Sequence, residues 1–397
     1  MGSFFKRFNW ILFAAMMALI TVGTVSIWSA GNARVESVFH GIWLKNLTTA
    51  LFGLMLYFVI SCTDYRKLLD TLSAPFYVGA LALLVAVLVF GSTIYGGRRW
   101  LWFFQPSEIS KLCVIAFAAA LFGGEETRFA RVRSSFRGFL VACGLVGVPS
   151  LLILAEPDLG TTLTLVPAVA VMMFVAGVWR KGLVALVTVG AILAMCVLGA
   201  VYEAERPGTS SERRAQILKY LPLRDHQVRR VRVFLFPDED PTGSGYTLRQ
   251  AKISIGSGGF SGKGIGKGET NRLKYLPQSI SMNDFIFCVY AEETGFVGTM
   301  ALLCLFAALI LPCCWVAFVS GERRGQLLAL GVATLIFAHV YINVGMSLGL
   351  VPITGLPLPF VSNGRTFLVT VMCGLGLVQS VSVHRTEDVV REEENVV

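Results

Sequence analysis

Residues 159–203 read LGTTLTLVPAVAVMMFVAGVWRKGLVALVTVGAILAMCVLGAVYE. Two apolar runs, each near the roughly 20 residues needed to cross a bilayer core of about 30 Å, are parted only by Arg180 and Lys181. Working outward in both directions, the same alternation of apolar run and brief charged punctuation continues. It predicts helices near 9–31, 41–62, 71–92, 106–124, 136–155, 159–178, 182–203, 284–318, 326–350 and 358–383. The expected fold is an all-α polytopic membrane protein of about ten transmembrane helices. Composition agrees: 55% of residues are hydrophobic, 15% charged, and the mean hydropathy is +0.67. The first run, behind Lys6 and Arg7, is too long for a signal peptide and is followed by more spans.

Short connections divide by charge. Arg66 and Lys67, then Arg128, Arg131, Arg133 and Arg137, then Arg180 and Lys181, then Arg323 and Arg324 fall on the side of Lys6 and Arg7. The positive-inside rule makes that side the cytoplasm, with both termini there. The other side holds the segments around Arg34, Arg98, Glu156 and Pro352, and one long polar segment. The expected divisions are 1–203 (seven helices), 204–283 (an extracytoplasmic basic, glycine-rich loop), 284–383 (three helices) and 384–397, an acidic tail ending in Arg391-Glu392-Glu393-Glu394.

The 204–283 segment carries 14 of the 34 lysines and arginines against seven acids, so it supplies +7 of the chain's +9. Long loops are exempt from the positive-inside rule, so the topology stands. Two readings of the charge remain open: attraction to anionic lipid head groups, or a site for an anionic substrate carried by the membrane. All nine cysteines lie in apolar runs and behave as small hydrophobes, and the four histidines are scattered, which argues against a histidine-based metal site. No internal repeat is visible, which weakens a transporter reading.

Within the segment, Gly256-Ser257-Gly258-Gly259-Phe260-Ser261-Gly262-Lys263-Gly264-Ile265-Gly266-Lys267-Gly268 fails the spacing of nucleotide-binding loops. Glycines that let backbone N–H groups approach an anion, with two lysines, remain a physical possibility. The competing flexible-linker reading leaves Ile255, Phe260 and Ile265 without a purpose. Ahead of the fourth helix stand Arg98-Arg99-Trp100 and Gln105-Pro106-Ser107-Glu108-Ile109-Ser110-Lys111. Pro106 suits a first helical turn and Glu108 the positive end of the dipole; Lys111 shares a face with Glu108, so an intramembrane ion pair or a polar cavity is expected. Asp158, after Glu156-Pro157, is either a helix cap or a functional carboxylate. Asp284 divides the same way. Glu292, eight residues further on, is expected about 12 Å deeper in the membrane than Asp284 and paired structurally with a cation.

In order along nearly the whole chain, Arg98-Arg99-Trp100, Gln105-Pro106-Ser107-Glu108, Pro157-Asp158-Leu159-Gly160-Thr161, Asp240-Pro241-Thr242-Gly243-Ser244-Gly245-Tyr246, Ile255-Gly256-Ser257-Gly258-Gly259 and Asp284-Phe285-Ile286-Phe287 resemble signatures of the SEDS family (shape, elongation, division and sporulation). Residues 352–360, from Pro352 through Pro357 to Phe360, resemble its elongation (RodA) branch more than its division (FtsW) branch. Two stretches depart from the family pattern: Gln278 to Asn283, where a glutamate has become Gln278 and two residues are inserted, and Asn363 to Phe367.

The resemblance implies a peptidoglycan polymerase of the bacterial inner membrane acting on lipid II. An acceptor sugar hydroxyl attacks the anomeric carbon of the growing strand and undecaprenyl pyrophosphate leaves. Asp284 is then the expected catalytic base. Arg98, Arg99, Lys263 and Lys267 are expected on the pyrophosphate, and Trp100, Glu108, Lys111 and Asp158 elsewhere along the bound substrate. No cofactor is required by the pattern, although a divalent cation, Mg or Mn, could share the charge. The implied partners are a class B penicillin-binding protein (a transpeptidase) and the elongation or division machinery, and not a nucleic acid. Two other readings stand beside this one: a lipid II transporter using Glu108, Lys111 and Asp158 as a polar path, and a non-catalytic scaffold for the transpeptidase.

Overall fold

The computed structural model describes residues 2–385 apart from 33–40, 95–96, 103, 126–127, 207, 222–224, 241–242 and 274; Arg34, Pro241, Thr242 and the tail from 386 onward lie outside the described residues. The elements are α1 (Gly2–Arg7), α2 (Trp10–Asn32), α3 (Ile42–Cys62), α4 (Tyr65–Phe90), the hairpin of β1 (Ser92–Ile94) and β2 (Gly97–Trp100), α5 (Pro106–Gly123), α6 (Arg128–Val132), α7 (Phe136–Ala155), α8 (Leu159–Ala176), α9 (Arg180–Glu205), α10 (Ser211–Lys219), α11 (Asp225–Leu235), α12 (Ser244–Ser257), α13 (Glu269–Arg272), α14 (Gln278–Met282), α15 (Ile286–Val319), α16 (Arg323–Leu348) and α17 (Arg365–Val383). Ten of them are long and apolar enough to cross a membrane: α2–α5, α7–α9 and α15–α17. This is a multi-pass all-α membrane fold.

Helices α16 and α17 form the centre, packed by α3, α5, α8 and α15, while α9 is buried only near its two ends and shows Val184, Leu193 and Met195 to the lipid. Arg66 pairs with Glu322, Arg324 with Asp70, and Arg323 reaches the Ala176 carbonyl; these contacts gather the short basic connections at one end of the bundle. The opposite end, here the loop end, holds residues 204–283.

Two expectations about this architecture need correction. Helix α4 starts at Tyr65, not near 71, because Asp64 accepts a hydrogen bond from the Arg66 N–H at 2.9 Å and opens the helix there. Helix α17 starts at Arg365, not near 358, because Pro352, Pro357 and Pro359 hold residues 349–364 out of a helix; the Asn343 amide and Ser362 hydroxyl serve their backbone instead. The 204–283 segment connects α9 to α15 and contains the short helices α10–α14.

The first of the three late helices, α15, is broken. At Gly295 the backbone leaves helical geometry (φ 68°, ψ −164°). The Asp284 carbonyl accepts from Asn343 and Cys288 bonds Ser347, so advancing from 284 to 288 advances from 343 to 347 on α16. Residues 286–294 therefore run parallel to α16, toward the loop end. Residues 296–319 run back to the turn that begins α16. This half-helix is re-entrant, and it reverses the expected depths: Asp284 is the inner residue, more than a turn inside the end of α16, and Glu292 is the outer one.

The glycine-rich stretch covers the break. Gly259 and Phe260 carbonyls accept from the N–H groups of Phe296 and Val297 at 2.9 and 3.2 Å, while Lys263 and Gly264 N–H groups donate to the carbonyls of Glu292 and Glu293 at 3.0 and 2.9 Å. Helix ends leave such groups without intrahelical partners, and hydrocarbon offers none.

Candidate active site at the mouth of an apolar cavity

Four chain segments converge on Asp284. The β hairpin brings Arg99, whose guanidinium donates to the carbonyls of Glu156 and Pro157 and lies 3.9 Å from Asp158 Oδ1. Asp158 caps α8 through Thr161 and accepts from Gln105 Nε2 at 3.0 Å. Next to it, Gly160 packs so tightly on Leu356 that a Cβ would stand 2.9 Å from its Cγ. The 349–364 segment thus lies across the start of α8. From α11, Arg230 donates to the Thr354 carbonyl at 3.0 Å, and Gly355, in the left-handed region at φ 76°, stands against the carboxyl group, where a Cβ would be 3.4 Å from Asp284 Oδ2.

Asp284 is not a helix cap. The cap position of α15 is Phe285, without a side-chain bond, so the carboxylate is left for other work. Burial pushes its carboxyl up to about 6, opposed by Arg230 and Arg99. Burial and Arg99 together lower Arg230. A group of this kind is poised to take a proton near neutrality, and two guanidiniums suit a phosphate.

Below this cluster opens a cavity of about 850 Å³ between α8, α9, α15 and α16. Its walls include Leu163, Val171, Val197, Cys314, Thr334 and Phe337, and Arg230 and Thr354 stand in its lining with them. An apolar slot inside the membrane, with a cation at its loop end, matches an amphiphile with a long apolar tail and an anionic head.

The structure separates the expected site residues. Arg99, Asp158 and Asp284 come together. Arg98 is exposed and bonds the Leu88 carbonyl, and Trp100 is half-buried in the hairpin. Glu108 and Lys111 are sealed, at 4% and 0% exposure; Lys111 Nζ lies 2.8 Å from Glu108 Oε2, 2.9 Å from His339 Nε2 and 5.0 Å from the Phe367 ring centre. Both lie inside the helical core, tied to each other and to α16. Lys263 pairs with Glu292 at 2.9 Å and Glu269 at 3.1 Å, so it belongs to the glycine-rich clamp. Lys267 is exposed on the same stretch.

A family model described as "Cell cycle protein" (FtsW/RodA/SpoVE) matches residues 9–387. The chain belongs to the FtsW/RodA/SpoVE, or SEDS, family. It is 33% identical to the peptidoglycan glycosyltransferase MrdB of Escherichia coli K12, over 93% of this chain and 92% of that one. It is 31% identical to stage V sporulation protein E of Bacillus subtilis, over 94% and 96%. Among solved structures, one from a study of polymerization and crosslinking by a peptidoglycan synthase complex superposes with a TM-score of 0.71 at 29% identity, covering 96% of this chain and 99% of that one. The rod shape determining protein RodA of Thermus thermophilus gives a TM-score of 0.65 at 26% identity, covering 95% and 97%.

Against the SEDS pattern, the two departing stretches prove to be in contact. Ser362 Oγ donates to the Asn283 carbonyl at 2.6 Å and the Asn363 N–H to the Met282 carbonyl at 3.1 Å. Gln278 donates its amide to the Ala30 and Gly31 carbonyls at 2.8 and 3.0 Å, closing the end of α2. A carboxylate has no proton to give there, which is a physical reason for Gln in place of Glu.

Residues missed from sequence are Arg230, Asn343 and His339. Asn343 and His339 carried a signal, a polar side chain within the apolar run of α16. Arg230 sits in Arg229-Arg230-Val231-Arg232, and only its burial distinguishes it.

Proposed function

We propose that this chain is a peptidoglycan glycosyltransferase that polymerises lipid II into glycan strands, with Asp284 as the base. The observation that carries the reading is an uncapping carboxylate beside two guanidiniums at the mouth of an intramembrane apolar cavity. The polyprenyl tail lies in the cavity and the pyrophosphate meets Arg230 and Arg99. Asp284 takes the proton of the acceptor sugar hydroxyl as its oxygen attacks the anomeric carbon; the carbon–oxygen bond to the pyrophosphate breaks, and undecaprenyl pyrophosphate leaves with the electron pair. Cations neutralise that leaving group, so one positioned carboxylate suffices, unlike the paired carboxyls of glycoside hydrolysis.

Among the described residues no group of three candidate ligands forms a metal site, and the nearby Asp158 faces Arg99. A divalent ion that serves here would come with the pyrophosphate and share the neutralisation of its charge with Arg230 and Arg99. The basic end of the bundle is the cytoplasmic one, which puts both termini in the cytoplasm and the site on the far face of the inner membrane. The synthase-complex relative supports a transpeptidase partner of the penicillin-binding class, and the RodA likeness supports a role in elongation. Transport is disfavoured because Glu108 and Lys111 are sealed and offer no polar path.

The test is purified protein in liposomes with lipid II and a class B penicillin-binding protein. Asp284→Asn should lower strand synthesis by about 10²–10⁴-fold, the usual weight of a general base. Unchanged product in the variant would remove Asp284 as the base. Lipid crossing the bilayer without product in the parent would establish transport instead.

A further inference from the structure

We infer that Lys263 and Glu292 are a positioning pair that sets where Asp284 stands, an inference that rests on Asp284 being the base. Neither residue touches the cavity. Glu292 is 1% exposed on the half-helix, and its carboxylate is held from the loop side by Lys263 Nζ at 2.9 Å, the Glu269 N–H at 2.9 Å, the Thr270 N–H at 3.2 Å and Ser254 Oγ at 3.3 Å. It is the post by which the folded 204–283 segment grips residues 286–294.

The grip is close on the backbone as well. A Cβ on Gly262 would stand 2.2 Å from the Glu293 carbonyl oxygen, and one on Gly295 would stand 2.3 Å from the Gly262 nitrogen. Beside it, Ser29 of α2 donates to Glu293 and accepts from the Gly266 N–H. The half-helix is therefore fixed at its outer end, and a helix transmits a shift at one end to the other with little loss. Asp284 directly precedes its inner end. Catalysis tolerates little such movement, since a misplacement of about 1 Å can cost on the order of 10²-fold in rate. A pair that served folding alone would alter the amount of folded protein and leave the rate per folded molecule unchanged.

The experiment compares the parent with Lys263→Met, Lys263→Arg and the double variant Lys263→Met/Glu292→Met, all reconstituted with lipid II and the transpeptidase partner. The double variant leaves no unpaired buried carboxylate, which removes the largest penalty that Lys263→Met alone carries. Expected are a fall in kcat of about tenfold or more with KM within about twofold, a displaced acid limb of the pH profile, and recovery to within about threefold in Lys263→Arg. A second readout needs no substrate. In a Ser347→Cys background, oxidation links the new thiol to the native Cys288, and the yield reports the register of the half-helix against α16. That yield should fall at least about fivefold when the pair is removed. A folded double variant that keeps both its kcat and its cross-linking yield would overturn the inference, and because the cross-link forms without turnover, that failure is distinguishable from a failure of the proposed activity.

Discussion

Asp284 combines two properties that rarely coexist in one carboxylate: it is deep enough to be raised to about 6, and close enough to Arg230 and Arg99 to stay ionised at neutral pH. Activity should therefore fall roughly tenfold per pH unit below about 6, as the base takes a proton before the substrate can offer one. Removing a cation disfavours the carboxylate, so Arg230→Met should move that limb to higher pH. It should also lower kcat/KM by about 10²–10³-fold through lost stabilisation of the leaving group, and a pH–rate series on both proteins measures the two effects. The candidate base was legible in sequence because it starts an apolar run at the end of a charged one. Its guanidinium partner was not. Arg230 is separated from Asp284 by more than fifty residues, and nothing local marks it apart from Arg229 and Arg232.

Among the elements, the glycine-rich stretch changed meaning most. Its glycines serve approach of backbone to backbone, and Gly262, at φ 79° and against the Glu293 carbonyl, has no room for a side chain. Gly262→Ala should destabilise the fold by roughly 2 kcal/mol or more, whereas Gly256→Ala, in open space at the end of α12, should leave it nearly unchanged or slightly firmer. Thermal unfolding in detergent checks both. Apolar length placed all ten spans, yet the reversal at Gly295 was invisible, because residues 286–319 form one apolar stretch whether the chain passes straight through or turns. Glu292 and Glu293 were the only hint, and their charges fit a deep ion pair as readily as an outer anchor. Prolines near 352–357 did signal a break, but apolar neighbours carried the expected last helix back to 358, across Pro359.

At the scale of the whole molecule, a polar cluster sits over an apolar slot that is walled on one side by α9, a helix packed only near its ends. If the slot holds the lipid tail, Thr334→Trp should raise KM for lipid II of natural chain length by roughly tenfold while leaving KM for a short-chain analogue unchanged, a comparison that separates tail binding from head binding. Charge distribution made the two faces of the bundle legible from sequence; the cavity was not, since its walls come from four helices spread over nearly two hundred residues. The capped break at Gly295 also bears on how the chain is built in the cell. Phe296, Val297, Glu292 and Glu293 bond through their backbones to residues 259–264, so the half-helix is expected to settle once the preceding polar segment has folded at the loop end. Assembly of the proposed catalytic centre would thereby be ordered in time: a chain whose 204–283 segment has not folded has no seated Asp284, and should be inactive until its topology is complete.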